Sequence, residues 1–289
     1  MGSAVTFRAE EYAICFGILA LIDVVLRSCG VRQGAHWFAM HALANFGIAY
    51  LTAGSVLRVF ADPEHAMYKP VGDSDENWSN AAMLGTLHIY HLVRYTKLSA
   101  ADLFHHLAFI PFNQLAVHWP HISTSMGGAW KVWGKKWGPL VNAQHFFVCG
   151  LPGALDYTCL ALVKQGLLDK LRHKHLQAKI NVWMRAPGIL ATVSIHLFEL
   201  NRAWSRDPGR IPISAIVIGI VNVALIGWNA LYYMERVVAA TWRHQAGTGQ
   251  MEPETICGIS GRPKVVVGRS NWLAPMQVEW DDTRPIKVS

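Results

Sequence analysis

With 289 residues, 52% of them hydrophobic and only 16% charged, the chain falls well short of the roughly 25% charge of a soluble domain and reads as a polytopic membrane protein. Its net charge of +7 and pI near 9.2 come from basic residues lying mostly between apolar segments. No nucleic-acid-binding motif accompanies them, so they fit positive-inside anchoring and acidic headgroups and exclude a nucleic-acid partner.

The five cysteines (Cys15, Cys29, Cys149, Cys159 and Cys257) are odd in number and contain no CxxC pair, which argues against a disulfide framework or a thiolate metal site. Seven apolar segments follow in chain order: residues 12–26, 35–59, 79–95, 101–119, 139–163, 187–200 and 211–238. The N-terminus reads as neither a cleavable signal nor an Arg-rich presequence, because Glu10 and Glu11 come early. Gly2 to Thr6 fits a loose myristoylation pattern that is short enough to arise by accident.

The first and sixth segments are short for spanning helices and call for extension or a re-entrant path. After the second comes a polar loop with Pro63, Pro70 and the acidic run Asp73-Ser74-Asp75-Glu76. After the fourth, Trp130, Trp133 and Trp137 alternate with Lys131, Lys135 and Lys136, the composition of an interfacial anchor. Residues 163–186 set Leu167, Leu171, Ile180 and Trp183 among Lys170, Arg172, Lys174, Lys179 and Arg185 and read as a helix lying on the membrane surface. Residues 211–234 hold no charged side chain. As a helix this run is about 36 Å long, enough to cross a hydrocarbon core of about 30 Å. The Lys and Arg distribution favours an outside N-terminus and a cytoplasmic or matrix C-terminus.

The expected fold is therefore all-α: a polytopic bundle of about seven transmembrane helices over residues 1–242, followed by an extended or disordered tail, 243–289. The tail is too small to build a core alone. Its Trp272, Leu273, Met276, Val278 and Trp280 suit an arm docked on other subunits of a membrane complex.

Polar residues gather inside these segments. Asp102 precedes His105 by three residues and His106 by four, so in a helix its carboxylate faces either imidazole one turn on. Ionisable groups at the bilayer centre cost about 2.5–3.5 kcal/mol each and mark either function or helix-tying hydrogen bonds. His88 and His91 share a helix face, and His145 lies in the fifth segment; these three are further candidates beside Asp102. For His36, His118, His121 and His196 taken singly, a hydrogen bond to a neighbouring helix is the simpler role.

Three chemistries compete for the cluster: an Asp–His general base opening an acyl transfer, a metal site, or purely structural bonding. The pairs His88-x-x-His91, His118-x-x-His121 and His105-His106 fall short of the repeated boxes of a membrane di-iron site, so no metal is expected. The seventh segment has no lysine for a retinal Schiff base, and no phosphate-binding glycine loop is present.

His41, Asp62-Pro63, Gly150-Leu151-Pro152 and above all the block Lys97-Leu98-Ser99-Ala100-Ala101-Asp102-Leu103-Phe104-His105-His106 resemble the TLC-domain family. This is the membrane domain shared by ceramide synthases and translocon-associated proteins, and the likeness covers residues 36–236. It implies a six- or seven-helix barrel with a lipid cavity between helices. In the synthases the paired histidines, matched by His105 and His106, act with two aspartates on a later helix, and acyl-CoA is the donor. Here residues 149–164 offer only Asp156, so the chain fits better with members that sense, bind or organise lipids.

The expected function is lipid handling in the endoplasmic reticulum or another endomembrane, with acyl-CoA as cosubstrate if the protein is an acyltransferase. The alternative is a non-catalytic accessory subunit of a large complex, such as a respiratory assembly of the mitochondrial inner membrane.

Overall fold

The computed structural model describes residues 9–64, 79–94, 138–206 and 213–247, and each element among them is a helix. α1 (Ala9–Ser28), α2 (Gln33–Ala61) and α3 (Ser79–Arg94) form one group. α4 (Gly138–His145) runs through a π-helical turn, Phe146–Gly150, into α5 (Leu151–Gln165). α6 (Lys170–Ile180) likewise runs through a second π turn, Asn181–Arg185, into α7 (Ala186–Arg206). α8 (Ile213–Gly247) carries the uncharged run and continues past residue 242. The fourth predicted segment, 101–119, the aromatic loop after it and the tail beyond Gly247 lie outside the described residues.

Two helical stretches, Gln33–Ala61 and Pro139–Gln165, are long and apolar enough to cross a bilayer. Of their apolar windows 33% and 22% are fully buried, and most of the remainder of Pro139–Gln165 is half-buried. The outward side chains include Leu43, Phe46, Tyr50 and Leu57 of α2.

The helix ends follow from local chemistry. α1 places Glu10 and Glu11 in its first turn and Arg27 in its last, matching the helix dipole at both ends. It stops at Gly30, whose φ of +70° only glycine adopts freely. There Val31 N–H bonds the Leu26 carbonyl at 3.1 Å and Gly30 N–H bonds that of Arg27 at 3.0 Å, a Schellman closure. Gly166, at φ +80°, ends α5 in the same way, with Leu167 N–H on the Leu162 carbonyl at 2.8 Å. Asp169 then caps α6, accepting from the backbone N–H groups of Leu171 and Arg172 at 2.9 and 3.0 Å. Arg32 lies against Gly166, so the α1–α2 and α5–α6 turns share one end of the bundle.

Two apolar clusters hold the helices together. Cys15 and Leu19 of α1 pack with Met40, Ala44 and Ile48 of α2 and with Met83 and Leu87 of α3. Val59, Ala81, Leu140, Val141 and Leu200 join α2, α3, α4 and α7. α2 meets the α4–α5 stretch closely through glycines. A methyl group on Gly150 would stand 3.4 Å from the Ala49 backbone, and one on Gly153 only 2.8 Å from Asn45 Nδ2. Small residues let backbones approach where no hydrophobic force separates helix from lipid.

The basic stretch holds the helix α6, which packs on the rest of the bundle. After Gly166 the chain reverses and α6 runs back along α5, continuous with α7, and also packs on α8. Its buried residues are His173 and Ala178; His173 and the half-buried Gln177 bond Asp156, and Asn181 of the π turn that follows bonds the Gln177 carbonyl. The half-buried carboxylate of Asp156 on α5 gives part of the polar face of α6 a protein partner.

Candidate functional site

α2 carries Trp37 and His41 one turn apart, and α3 sets His91 against both. The wholly buried His91 ring stacks on Trp37 at 3.8 Å between centroids and meets His41 at 4.1 Å. His41 stacks in turn on Tyr157 of α5 at 4.5 Å. His88 stands edge-on to His91 at 6.5 Å. The row His88, His91, His41, Tyr157 thus crosses three helices inside the bundle. His41 Nδ1 lies 2.9 Å from the Trp37 carbonyl and His88 Nδ1 2.7 Å from that of Leu84. A carbonyl only accepts, so both rings carry their proton on Nδ1 and keep Nε2 as the basic nitrogen of the neutral form. Imidazoles with a fixed tautomer are suited to accept a proton or hydrogen bond from a hydroxyl or amine.

One turn away lies a carboxylate node. Asp23 of α1 is buried and paired with Arg27, with Arg94 at 3.4 Å and with His36 Nδ1 at 3.3 Å, and the Tyr90 hydroxyl also bonds it. Its charge is met twice over, which makes it a structural tie between α1, α2 and α3.

A second acid–imidazole pair stands across the α5–α6 hairpin. His173 Nε2 is 2.9 Å from Asp156 Oδ1, and Gln177 Nε2 donates to Oδ2 at 3.0 Å. Both oxygens of Asp156 are therefore engaged within the hairpin. At the exposed start of α6, the backbone N–H of Arg172, with that of Leu171, holds the Asp169 carboxyl below its ordinary range.

The sequence candidates fall in different places. Asp102, His105 and His106 lie outside the described residues. His88 and His91 are brought together with His41. His145 is not among them: its Nδ1 accepts from Asn80 Nδ2 at 2.9 Å, and Asn80 also donates to Asn142 Oδ1 at 3.0 Å. Asn80 precedes His91 by about three helical turns on α3, roughly 16 Å along the axis, so the two imidazoles occupy separate levels. His36 and His196 are bonded to neighbouring helices, His196 to Gln144 at 3.3 Å.

Sequence reasoning left Trp37, Tyr157 and His173 out of the site. The i, i+4 spacing of Trp37 and His41, and of His173 and Gln177, is a signal by which Trp37 and His173 could have been found; none marks Tyr157. Among the described residues no group of three or more His, Cys, Asp or Glu is placed to hold a metal ion.

Comparison with protein-family models, with curated proteins and with solved structures finds no match for this chain.

Proposed function

We propose that the chain is an integral membrane protein of TLC type that holds a lipid or acyl chain among about seven helices, with His88, His91, His41 and Tyr157 at the polar end of the binding region. The observation that carries this reading is the stacking of His41 on His91 inside a bundle whose flanking helices expose apolar surface. Imidazoles are costly in such surroundings, and their Nε2 atoms suit the hydroxyl or amide head of a lipid. If the site is catalytic, the resemblance implies acyl transfer from acyl-CoA with Asp102, His105 and His106 as the acid–base group. The endoplasmic reticulum or another endomembrane is the corresponding location.

The test is native mass spectrometry of protein extracted gently from its own membrane. Wild type carrying one lipid or acyl adduct, lost in His41→Ala and His91→Ala, supports the reading; an adduct unchanged in both variants overturns it.

A second reading is favoured by the apolar residues Trp272, Leu273 and Trp280 of the tail. The chain is then a non-catalytic accessory subunit, docked by its tail on a membrane complex such as one of the mitochondrial inner membrane. Stable co-purification with a fixed set of subunits, without any lipid dependence on His41 or His91, is the result that selects it.

A further inference from the structure

The most unusual cation in the bundle is Arg185, the last residue of the second π turn. Its Nη2 donates to the Val148 carbonyl at 2.6 Å, and its guanidinium carbon lies 4.9 Å over the Tyr233 ring of α8. In an unbroken α-ladder the Val148 carbonyl would accept from the N–H of residue 152, but that residue is Pro152 and has none. The proline and the two facing π turns therefore create a socket for a guanidinium. π turns of this kind occur often at functional sites.

The socket is deep. Val148 lies two residues before Gly150, which touches Ala49 near the middle of α2. Arg27 and Arg94 share Asp23, and Arg202 lies beside Glu199 and Glu64. Arg185 has no carboxylate within ion-pair distance among the described residues. One of its five N–H groups is used by Val148 and one face is covered by Tyr233. The remaining edge of the fork matches a group with two oxygens sharing a negative charge. An uncompensated cation at that depth is costly, and an anion removes the cost.

We infer that Arg185 binds the oxyanion head of an anionic lipid, a fatty-acid carboxylate or a phospholipid phosphate, lying between the π turns and α8. The inference rests on the lipid reading above and adds the charge of the ligand to it.

The full-length protein in neutral detergent is offered oleate, phosphatidic acid, diacylglycerol or inorganic phosphate, and retention is read by native mass spectrometry. Wild type is expected to hold oleate or phosphatidic acid about tenfold more tightly than diacylglycerol, the scale of one charge-assisted contact. Arg185→Met is expected to lose that preference and keep diacylglycerol. If Arg185→Met does not fold, Arg185→Lys keeps the charge and a donor for Val148 but not the fork, and is expected to weaken oleate retention several-fold. Unchanged anion preference in the folded variants overturns the assignment of Arg185. Diacylglycerol binding without any anion preference in wild type also overturns it, while leaving the lipid reading intact. Binding of no lipid at all overturns both. Displacement of oleate by equimolar inorganic phosphate shows a free-anion site and overturns the lipid part of the assignment.

Discussion

His173 and Asp156 meet at 2.9 Å across a hairpin whose turn is closed by Gly166, so a buried imidazole and a carboxylate staple α6 to α5. Removing the acid leaves the buried His173 and the half-buried Gln177 without their acceptor. Asp156→Ala is expected to destabilise the protein by about 1–3 kcal/mol, the range for leaving buried polar groups unsatisfied. Asp156→Ala and His173→Ala together should cost less than the sum of the two, with a coupling of about 1–3 kcal/mol. Thermal melting of the four proteins in one detergent gives the cycle, and strict additivity would contradict the staple.

Close packing of α7 on the first π turn gives another expectation. A Cβ on Gly188 would stand 2.1 Å from the Phe147 ring, a distance no packed pair tolerates. Gly188→Ala should therefore cost about 1–3 kcal/mol through overpacking. Phe147→Leu, which withdraws the ring, should recover part of that loss in the double variant. Equal stability of Gly188→Ala and wild type would show that the two helices are less tightly set at this level.

Much of the fold was legible because apolar length is written directly in composition. The second segment, 35–59, became Gln33–Ala61, and the fifth became the helical stretch Pro139–Gln165. The partner of the basic segment was not legible for a physical reason: nothing local tells that Asp156 lies opposite His173, seventeen residues later, and supplies part of the polar face with a partner. The site was legible in part. His88 and His91 share a face by spacing alone. Their neighbours Trp37, His41 and Tyr157 come from other helices, and the order of helices around a bundle is not encoded in periodicity. His145 failed as their companion because the axial distance along α3 separates it from them. Pro152 was visible in the sequence, but the arginine that answers its missing N–H comes from a different helix.

The pH response of the α5–α6 turn has a defined sign. The Asp169 carboxyl is held below its ordinary value of 3.8 by the N–H groups it caps. A lowered folded value means the cap's contribution is complete above the ordinary value and is lost as pH falls through the lower one. Amide protection factors at Leu171 and Arg172 should thus be constant near neutrality and fall on acidification below about pH 4. Asp169→Ser keeps a cap without a titrating group and should abolish that fall. An equal fall in the variant would assign the effect to another carboxylate.

The most direct measurement is photo-crosslinking in native membranes with a diazirine-bearing fatty acid, followed by mapping of the labelled peptides. Labels concentrated on inward residues of α2, α3 and α5, near His41, His91 and Tyr157, are the expected result for a lipid held among the helices. Labels confined to outward side chains such as Ile14, Leu57 and Trp183 would show that lipid touches only the outer surface, and would contradict an internal lipid site.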